Sequence, residues 1–344
     1  MPSRRRRSRI PTPAWEREHG AIGRQFAGRS PRFYSTAVVV LVALAAVGLV
    51  GYGFFSDWRA DQQRPGSTAL RVGENKYTVE YYAARLRTLV ERVGGAVTQQ
   101  GQITAALPST TENLIGEAIV LGFAGELGQS ASEDDIKNEI ATQINLLVTD
   151  PTFETRYQAE ILRSRLKEDD YREMIKAEVL RKKILAKFQV DLPISAESVH
   201  YRQIVVATQG EADDIRGQID AGASFAELAK EKSLDTTTVD AGGDAGWAPR
   251  GLLDAELEEL LFSLEPGALG AYELPNGGAL VLEALEVAAD RPVDDTLKPA
   301  LAQRLFDDWL AEKRGTLEIV NNMDLQNGDG DKLTYAINYA YPNQ

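Results

Sequence analysis

GGDAGWAPRGLLDAELEELLFSLEPG, residues 242–267, decides how the second half of the chain is read. Three glycines among its first five residues suit a tight loop, because glycine enters positive φ without a Cβ penalty. Leu252 and Leu253 precede a short helix over 254–262, and Pro266-Gly267 turns the chain. Beyond that turn, 270–274 and 279–286 read as strands joined through Asn276-Gly277, a dipeptide favoured in two-residue hairpins. Before the loop come a strand at 201–206, a helix at 211–221, and a second helix running to Lys232. The second helix opens on Ser224-Phe225-Ala226-Glu227, a capping box. The order β, α, α, loop, α, β, β describes an α+β module over residues 199–290.

Upstream, residues 69–198 read as almost all helix after a short hairpin at 69–77, its turn near Gly73-Glu74-Asn75. Thr78 caps a helix whose Val79, Tyr82, Leu86, Leu89 and Val93 recur three and four apart, and Gly94-Gly95 ends it. A helix at 111–127 stops at Gly128. The next starts from Ser132, with Glu133, Asp134 and Asp135 in its first turn and Ile136, Ile140, Ile144 and Leu147 as its stripe. Pro151 opens another. A long helix runs from Asp169 or Asp170 through Phe188 and ends at Pro193. After the α+β module, segment 291–320 holds an amphipathic helix at 295–314 with Leu297, Leu301, Leu305 and Trp309. In the tail, 321–344, the alternation of LTYAINYAYP predicts a strand. Residues 327–331, NGDGD, have the outline of a calcium loop. Lys332 stands where such loops need glycine and Asn338 where they need glutamate, so a polar turn is expected.

The N-terminal end carries a different signal. Residues 33–56 hold no formal charge, and their centre, 37–50, reads AVVVLVALAAVGLV. That run, with Phe33, Tyr34, Tyr52, Phe54, Phe55 and Trp58 at its ends, suits one transmembrane helix with interfacial aromatics. A cleaved signal peptide is the competing reading, but the basic region before it is long and no small-x-small site follows. Nine arginines against Glu16 and Glu18 give residues 1–32 a charge of +7. The expectation is a signal anchor with residues 1–32 cytoplasmic, 57–68 a linker, and the main body outside a cell membrane it crosses once.

With −13 for the whole chain, the part after residue 32 carries −20, which argues against nucleic-acid binding there. The chain has no cysteine, which excludes disulfides, thiol catalysis and cysteine–zinc sites. Its two histidines, His19 and His200, fall on opposite sides of the expected membrane, so neither a histidine metal site nor a Ser-His-Asp triad is readily built. No cofactor motif, Walker loop or nucleophile elbow is present. No metal and no cofactor are expected, and the oligomeric state is left open.

GASFAELAKEKS at 222–233, GGDAGW at 242–247, RGLLDAELEELLFSLEPG at 250–267 and the final hairpin, in this order and spacing, resemble the parvulin-type rotamase domain. The preceding helical region is similar to the N-terminal chaperone region of SurA-like and PrsA-like folding factors, and the helix with Trp309 is similar to one that packs back on it. The resemblance spans about residues 69–320. It implies a four-stranded antiparallel-type sheet with flanking helices. It also implies a membrane-anchored peptidyl-prolyl isomerase or chaperone whose partners are unfolded or newly exported polypeptides.

Rotating a prolyl bond crosses about 18–20 kcal/mol without breaking a covalent bond. It needs an apolar pocket and polar groups that favour the twisted amide. On the resemblance, Gln203 takes the place of the family's first histidine and Ala279 that of the second, while Asp235 matches its Cys/Asp position. Leu253, Leu257 and Phe262 match the Met/Phe/Phe lining, and Leu274 replaces a hydroxyl. Gly242, Gly243, Asp244, Gly246 and Trp247 form the loop over the pocket. Since Gln203 can still hydrogen-bond and Ala279 cannot, weak isomerase activity is implied. A holding chaperone without catalysis, or a scaffold for one partner, are the alternatives.

Overall fold

The computed structural model describes residues 31–94, 100–275 and 277–340. The chain divides into two compact units, one ending at Ser67 and one from Thr68 onward. The first contains helix α1 (Pro31–Gln63), 33 residues long. Its described apolar side chains, among them Val42, Val47, Leu49, Tyr52 and Trp58, stand exposed. The basic segment 1–30 lies outside the described residues, as do the side chains of 33–39, 43 and 54 within the expected anchor. Among the described residues no helix is long and apolar enough to cross a membrane.

The second unit opens with strands β1 (Thr68–Val72) and β2 (Asn75–Thr78), paired antiparallel around Gly73. Thr78 Oγ1 accepts the Tyr81 amide and starts α2 (Val79–Gly94), whose Val79, Tyr82, Ala83 and Leu86 are fully buried. Next comes α3 (Gln100–Phe123), which begins eleven residues before the expected start and carries Pro108 inside it. A proline there forfeits an intrahelical bond. The buried Tyr82 hydroxyl, bonded to Leu107 O at 2.9 Å and to Thr111, holds the backbone at that point.

A full capping box between Ser132 and Asp135 opens α4 (Glu133–Gln143). The helix stops before the expected stripe is complete, leaving Leu147 exposed. α5 (Phe153–Ser164) and the long α6 (Glu168–Asp191) follow, and these three helices share a core of Ile136, Ile140, Tyr157, Tyr171 and Ile175.

The second half is a four-stranded antiparallel sheet in the order β4-β3-β6-β5. It contains β3 (Ser195–Val206), α7 (Gln209–Asp220), α8 (Phe225–Lys232), β4 (Asp244–Pro249), α9 (Ala255–Ser263), β5 (Leu269–Glu273) and β6 (Ala279–Pro292). Two details differ from the sequence reading. The glycine-rich stretch expected as loop supplies the edge strand β4, where Pro249 is tolerated because an edge has a free side. At α8 only Ser224 caps, accepting the Glu227 amide at 3.4 Å, so half the expected box forms. Asn276 of the expected hairpin dipeptide lies outside the described residues. Beside it, Leu274 N donates to Gly278 O at 3.0 Å.

The chain then returns to the helical region. α10 (Lys298–Gly315) packs on α6 and α3. Phe306 and Trp309 enter that core, and Leu305, expected there, is 40% exposed. β7 (Ile319–Asn321) adds a third strand beside β1. The tail expected as a strand is instead helix α11 (Gly330–Ala340), lying on α2. The reason is visible in its spacing: Leu333, Ala336, Ile337 and Ala340 recur three, one and three apart, which makes one helical face, and Ala336 and Ala340 are buried.

Candidate functional site

Strand alternation sorts the sheet's side chains onto two faces. Ile204 and Val206 of β3 pack with Ala279 and Val281 of β6 against Ala212, Ile215, Phe225 and Leu228 of α7 and α8. Val199 and Tyr201 pack on the other face with Leu280, Leu282 and Ala284 against Leu257 and Leu261 of α9. Gln203, between Ile204 and Arg202 and opposite Leu282, belongs to this α9 face. Leu253, Phe262 and Leu274 are half-buried around the same cluster, and Leu257 is buried in it.

Asp235 reaches Gln203 because the segment after α8 is tied to β3. Leu234 N donates to Val205 O at 2.7 Å, and Val205 N donates to Ser233 Oγ at 3.2 Å. Gln203 Nε2 then donates to Asp235 Oδ2 at 2.7 Å. The same carboxylate accepts the Thr237 amide and hydroxyl and the Thr238 hydroxyl. Partial burial alone would raise its pKa, but the bonds from Thr237, Thr238 and Gln203 outweigh it and hold it well below the usual range. At neutral pH it is an ionised acceptor already served by four donors.

The glycine loop fixes the other side of Gln203. Its backbone N–H donates to Gly243 O at 2.8 Å. Gly243 has φ +86°, and a Cβ there would lie 2.6 Å from Gln203 O. At Gly242, φ +70°, a Cβ would lie 2.7 Å from the Ala226 Cβ. These two glycines therefore belong to the site's framework. Asp244 and Trp247 turn elsewhere: Asp244 Oδ1 accepts the Gly246 amide and pairs with His200 Nε2 at 2.8 Å, and Trp247 is stacked between His200 and Arg291. His200 lies between Val199 and Tyr201 and so faces away from Gln203.

Ala279 is misplaced by the sequence reading. It is fully buried on the α7/α8 face, across the sheet from Gln203. Leu280, paired with Val205 on β3 and Tyr272 on β5, holds the position that faces the α9 side. The polar group is missing there too. Tyr201, Leu280, Leu282 and Tyr272 line this face and were not singled out from the sequence, although the period of two from Gln203 points directly to Tyr201. At the rim, the Arg250 guanidinium lies 3.9 Å over the Phe262 ring and pairs with Glu197 and Glu258. Among the described residues no group of three acidic or histidine side chains is placed to hold a metal ion.

A concavity of about 780 Å³ lies in the helical region among α2, α3, α5, α6 and α10, with Met174, Glu178 and Phe306 on its walls. The Arg85–Glu117 pair, bidentate at 2.5 and 2.7 Å, crosses it.

Comparison with known proteins agrees with this division. Residues 30–185 match the SurA-like N-terminal domain, and residues 200–272 match the PPIC-type PPIASE domain. The chain is 34% identical over 182 residues to the foldase protein PrsA of Caldanaerobacter subterraneus subsp. tengcongensis, covering 49% of this chain and 58% of the relative. It is 27% identical over 180 residues to foldase protein PrsA 2 of Bacillus cereus, covering 49% and 62%. The chain thus spans less than two thirds of the length of these curated relatives. A crystal structure of the peptidylprolyl isomerase PrsA from Bacillus anthracis superposes with a TM-score of 0.41 at 21% identity, over 59% of this chain and 93% of that one.

Proposed function

This chain belongs to the parvulin-type, SurA/PrsA-like family, and from that premise we propose that it is a membrane-anchored extracytoplasmic folding factor. It binds extended apolar or proline-containing segments of exported polypeptides on the α9 face of its sheet, and its isomerase activity is weak. One observation carries this reading: Gln203 and Asp235 meet at 2.7 Å beside a wall of Leu253, Leu257, Phe262 and Leu274. An apolar wall with a small polar corner suits a polypeptide segment whose backbone needs one or two partners. The corner is poor at stabilising a twisted amide, because Asp235 is already served by four donors and Leu280 offers no polar group.

The full chain in detergent tests this. It is expected to suppress aggregation of several unrelated unfolded proteins and to give slow turnover in a protease-coupled prolyl isomerisation assay. Leu253→Arg, which puts a charge on the wall, is expected to weaken the suppression. Rapid turnover that collapses in Asp235→Asn would sink the weak-activity reading.

The 780 Å³ concavity favours a second reading, a holding chaperone whose main client site is in the helical region. Suppression that survives Leu253→Arg but is lost on blocking that concavity, for example with Met174→Trp, would favour it.

The anchor is supported by the uncharged run 33–56, by the +7 segment before it, and by α1's exposed apolar side chains. The absence of cysteine makes the topology directly testable. In intact cells an impermeant maleimide is expected to label Gln62→Cys, and to label Ser8→Cys only after lysis.

A further inference from the structure

Strand β2 stands at one edge of the small sheet, whose order is β2-β1-β7. An edge strand presents backbone groups with which another extended chain can pair. Which groups these are follows from the bonds on the far side of β1. Gly73 N donates to Glu318 O and Asn322 N donates to Ala69 O, each at 2.9 Å, so Ala69 and Gly73 turn their backbone groups toward β7. Leu70 and Val72 alternate with them, turn toward β2, and meet Tyr77 and Asn75. Lys76 sits between those two, so its N–H and C=O point outward, away from the sheet.

That outward side opens into a hollow. Asn75, Lys76, Tyr77 and Thr78 line a concavity of about 180 Å³ together with the first turns of α6. Its apolar wall is the stacked pair Tyr77 and Tyr81, ring centroids 5.5 Å apart, with Leu121 and Met174. Glu117 is taken by Arg85, which leaves Lys76 and Lys167 set against Asp170 and Glu173, and neither sign of charge dominates. Glu117 and Met174 also line the 780 Å³ concavity, so a chain lying along β2 leads into it.

These features define the occupant. Outward backbone groups pair with an extended backbone and read no side chain, while a wall of two tyrosines, a leucine and a methionine accepts apolar side chains. Balanced charge rejects neither acidic nor basic sequences. An unfolded polypeptide segment has this chemistry. A folded surface, with its strands already paired, does not.

We propose that the outer edge of β2 is a further docking site, where an extended segment of an unfolded polypeptide adds as a fourth strand beside Lys76. This rests on the chain holding polypeptides, as proposed above, but not on the α9 face being where it holds them. Proline tests it cleanly. Lys76→Pro removes the outward N–H and fills its place with a ring, yet breaks no bond to β1. Lys76→Ala removes the charge and keeps the N–H. A soluble fluorescent peptide rich in valine and threonine, without proline, is titrated against the full chain in detergent as wild type, Lys76→Pro, Lys76→Ala and Leu253→Arg, with a thermal melt of each. A second peptide of the same sequence is N-methylated at alternate residues.

Lys76→Pro is expected to bind the plain peptide about tenfold more weakly, with a melting temperature close to the wild type. Lys76→Ala should bind within about twofold of the wild type, since no side-chain contact is lost. The methylated peptide should bind the wild type about tenfold more weakly and lose little more on Lys76→Pro. If Lys76→Ala loses as much as Lys76→Pro, the lysine side chain is what binds and the strand pairing is wrong. If only Leu253→Arg weakens binding, the β2 site is wrong and the α9 face stands. If the wild type binds neither peptide, the polypeptide-binding reading falls and takes the site with it. Should Lys76→Pro melt early, the methylated peptide decides: equal binding of both peptides by the wild type would overturn the proposal.

Discussion

Gln203 Nε2 and Asp235 Oδ2 lie 2.7 Å apart although 32 residues separate them in sequence. Their meeting depends on two backbone ties between the segment after α8 and β3, Leu234 N to Val205 O and Val205 N to Ser233 Oγ. The side-chain bond is therefore the last link of a chain of bonds that starts at the end of a helix and finishes in the middle of a sheet. Disturbing any link should be felt in the corner where the two side chains meet.

The direct disturbance is Asp235→Asn. The folded-state pKa of Asp235 is held below its ordinary value of about 3.9. Its contribution is thus fully present above about pH 4 and is lost as pH falls through the folded value. Asp235→Asn is expected to cost about 1–2 kcal/mol at pH 7, allowing for solvent screening at a partly exposed site. Urea unfolding at pH 7 and again near pH 3 should show the gap between the two proteins narrowing in acid.

The loop behind Gln203 is disturbed by Gly243→Ala. Its Cβ would meet the Gln203 carbonyl oxygen at 2.6 Å, a backbone atom that cannot swing aside, at a φ of +86°. A loss of about 2–4 kcal/mol is expected in urea unfolding. Gly246→Ala is the control, since it has similar positive φ and nothing within 4 Å. It should cost only the left-handed penalty, about 1–2 kcal/mol. Equal losses in the two variants would show that the contact with Gln203 carries no weight.

Much of this was legible in the sequence, and the rest was lost for identifiable reasons. Helix starts such as Thr78 and Ser132 could be read because the capping groups are local. Strand β4 was hidden because Asp244, Gly246 and Pro249 suppress the usual strand pattern, and its identity comes from pairing with β3. Ala279 was assigned to the cleft by resemblance, and a shift of one residue along a strand changes the face. Only the register with Val206 reveals the slip. The tail was read as a strand because in so short a stretch its aromatics fit alternation as readily as a helical face. Packing against α2 decides between them.

That packing gives a third prediction. Ala336 is fully buried where α11 meets the core around α2. Ala336→Asp would place a charge there without a partner, and the helix would leave rather than bury it. The expected cost is about 2–3 kcal/mol. Amide hydrogen exchange should show 330–340 losing protection while α7 to α9 keep theirs. Unchanged protection in α11 would contradict its placement on α2.

The Arg85–Glu117 pair supplies the last. Both side chains are largely withdrawn from water, 12% and 22% exposed, and Arg85 also donates to the Tyr81 hydroxyl at 3.0 Å. Burial would lower the Arg85 pKa, but the carboxylate beside it holds the guanidinium charged. Removing one partner strands the other, so Arg85→Ala and Glu117→Ala should each cost about 2–3 kcal/mol, between the surface and fully buried limits. Replacing both with apolar residues of similar size, Arg85→Met with Glu117→Leu, removes the stranded charge and should recover most of that loss. The double variant also turns the band that crosses the 780 Å³ concavity from charged to apolar. If polypeptides are held there, it should bind apolar clients more tightly than the wild type at nearly equal stability. If they are held only on the α9 face, client binding should follow Leu253→Arg and ignore this change. The same double variant, assayed for unfolding and for aggregation suppression, thus separates the energetics of the pair from the question of which concavity the client occupies.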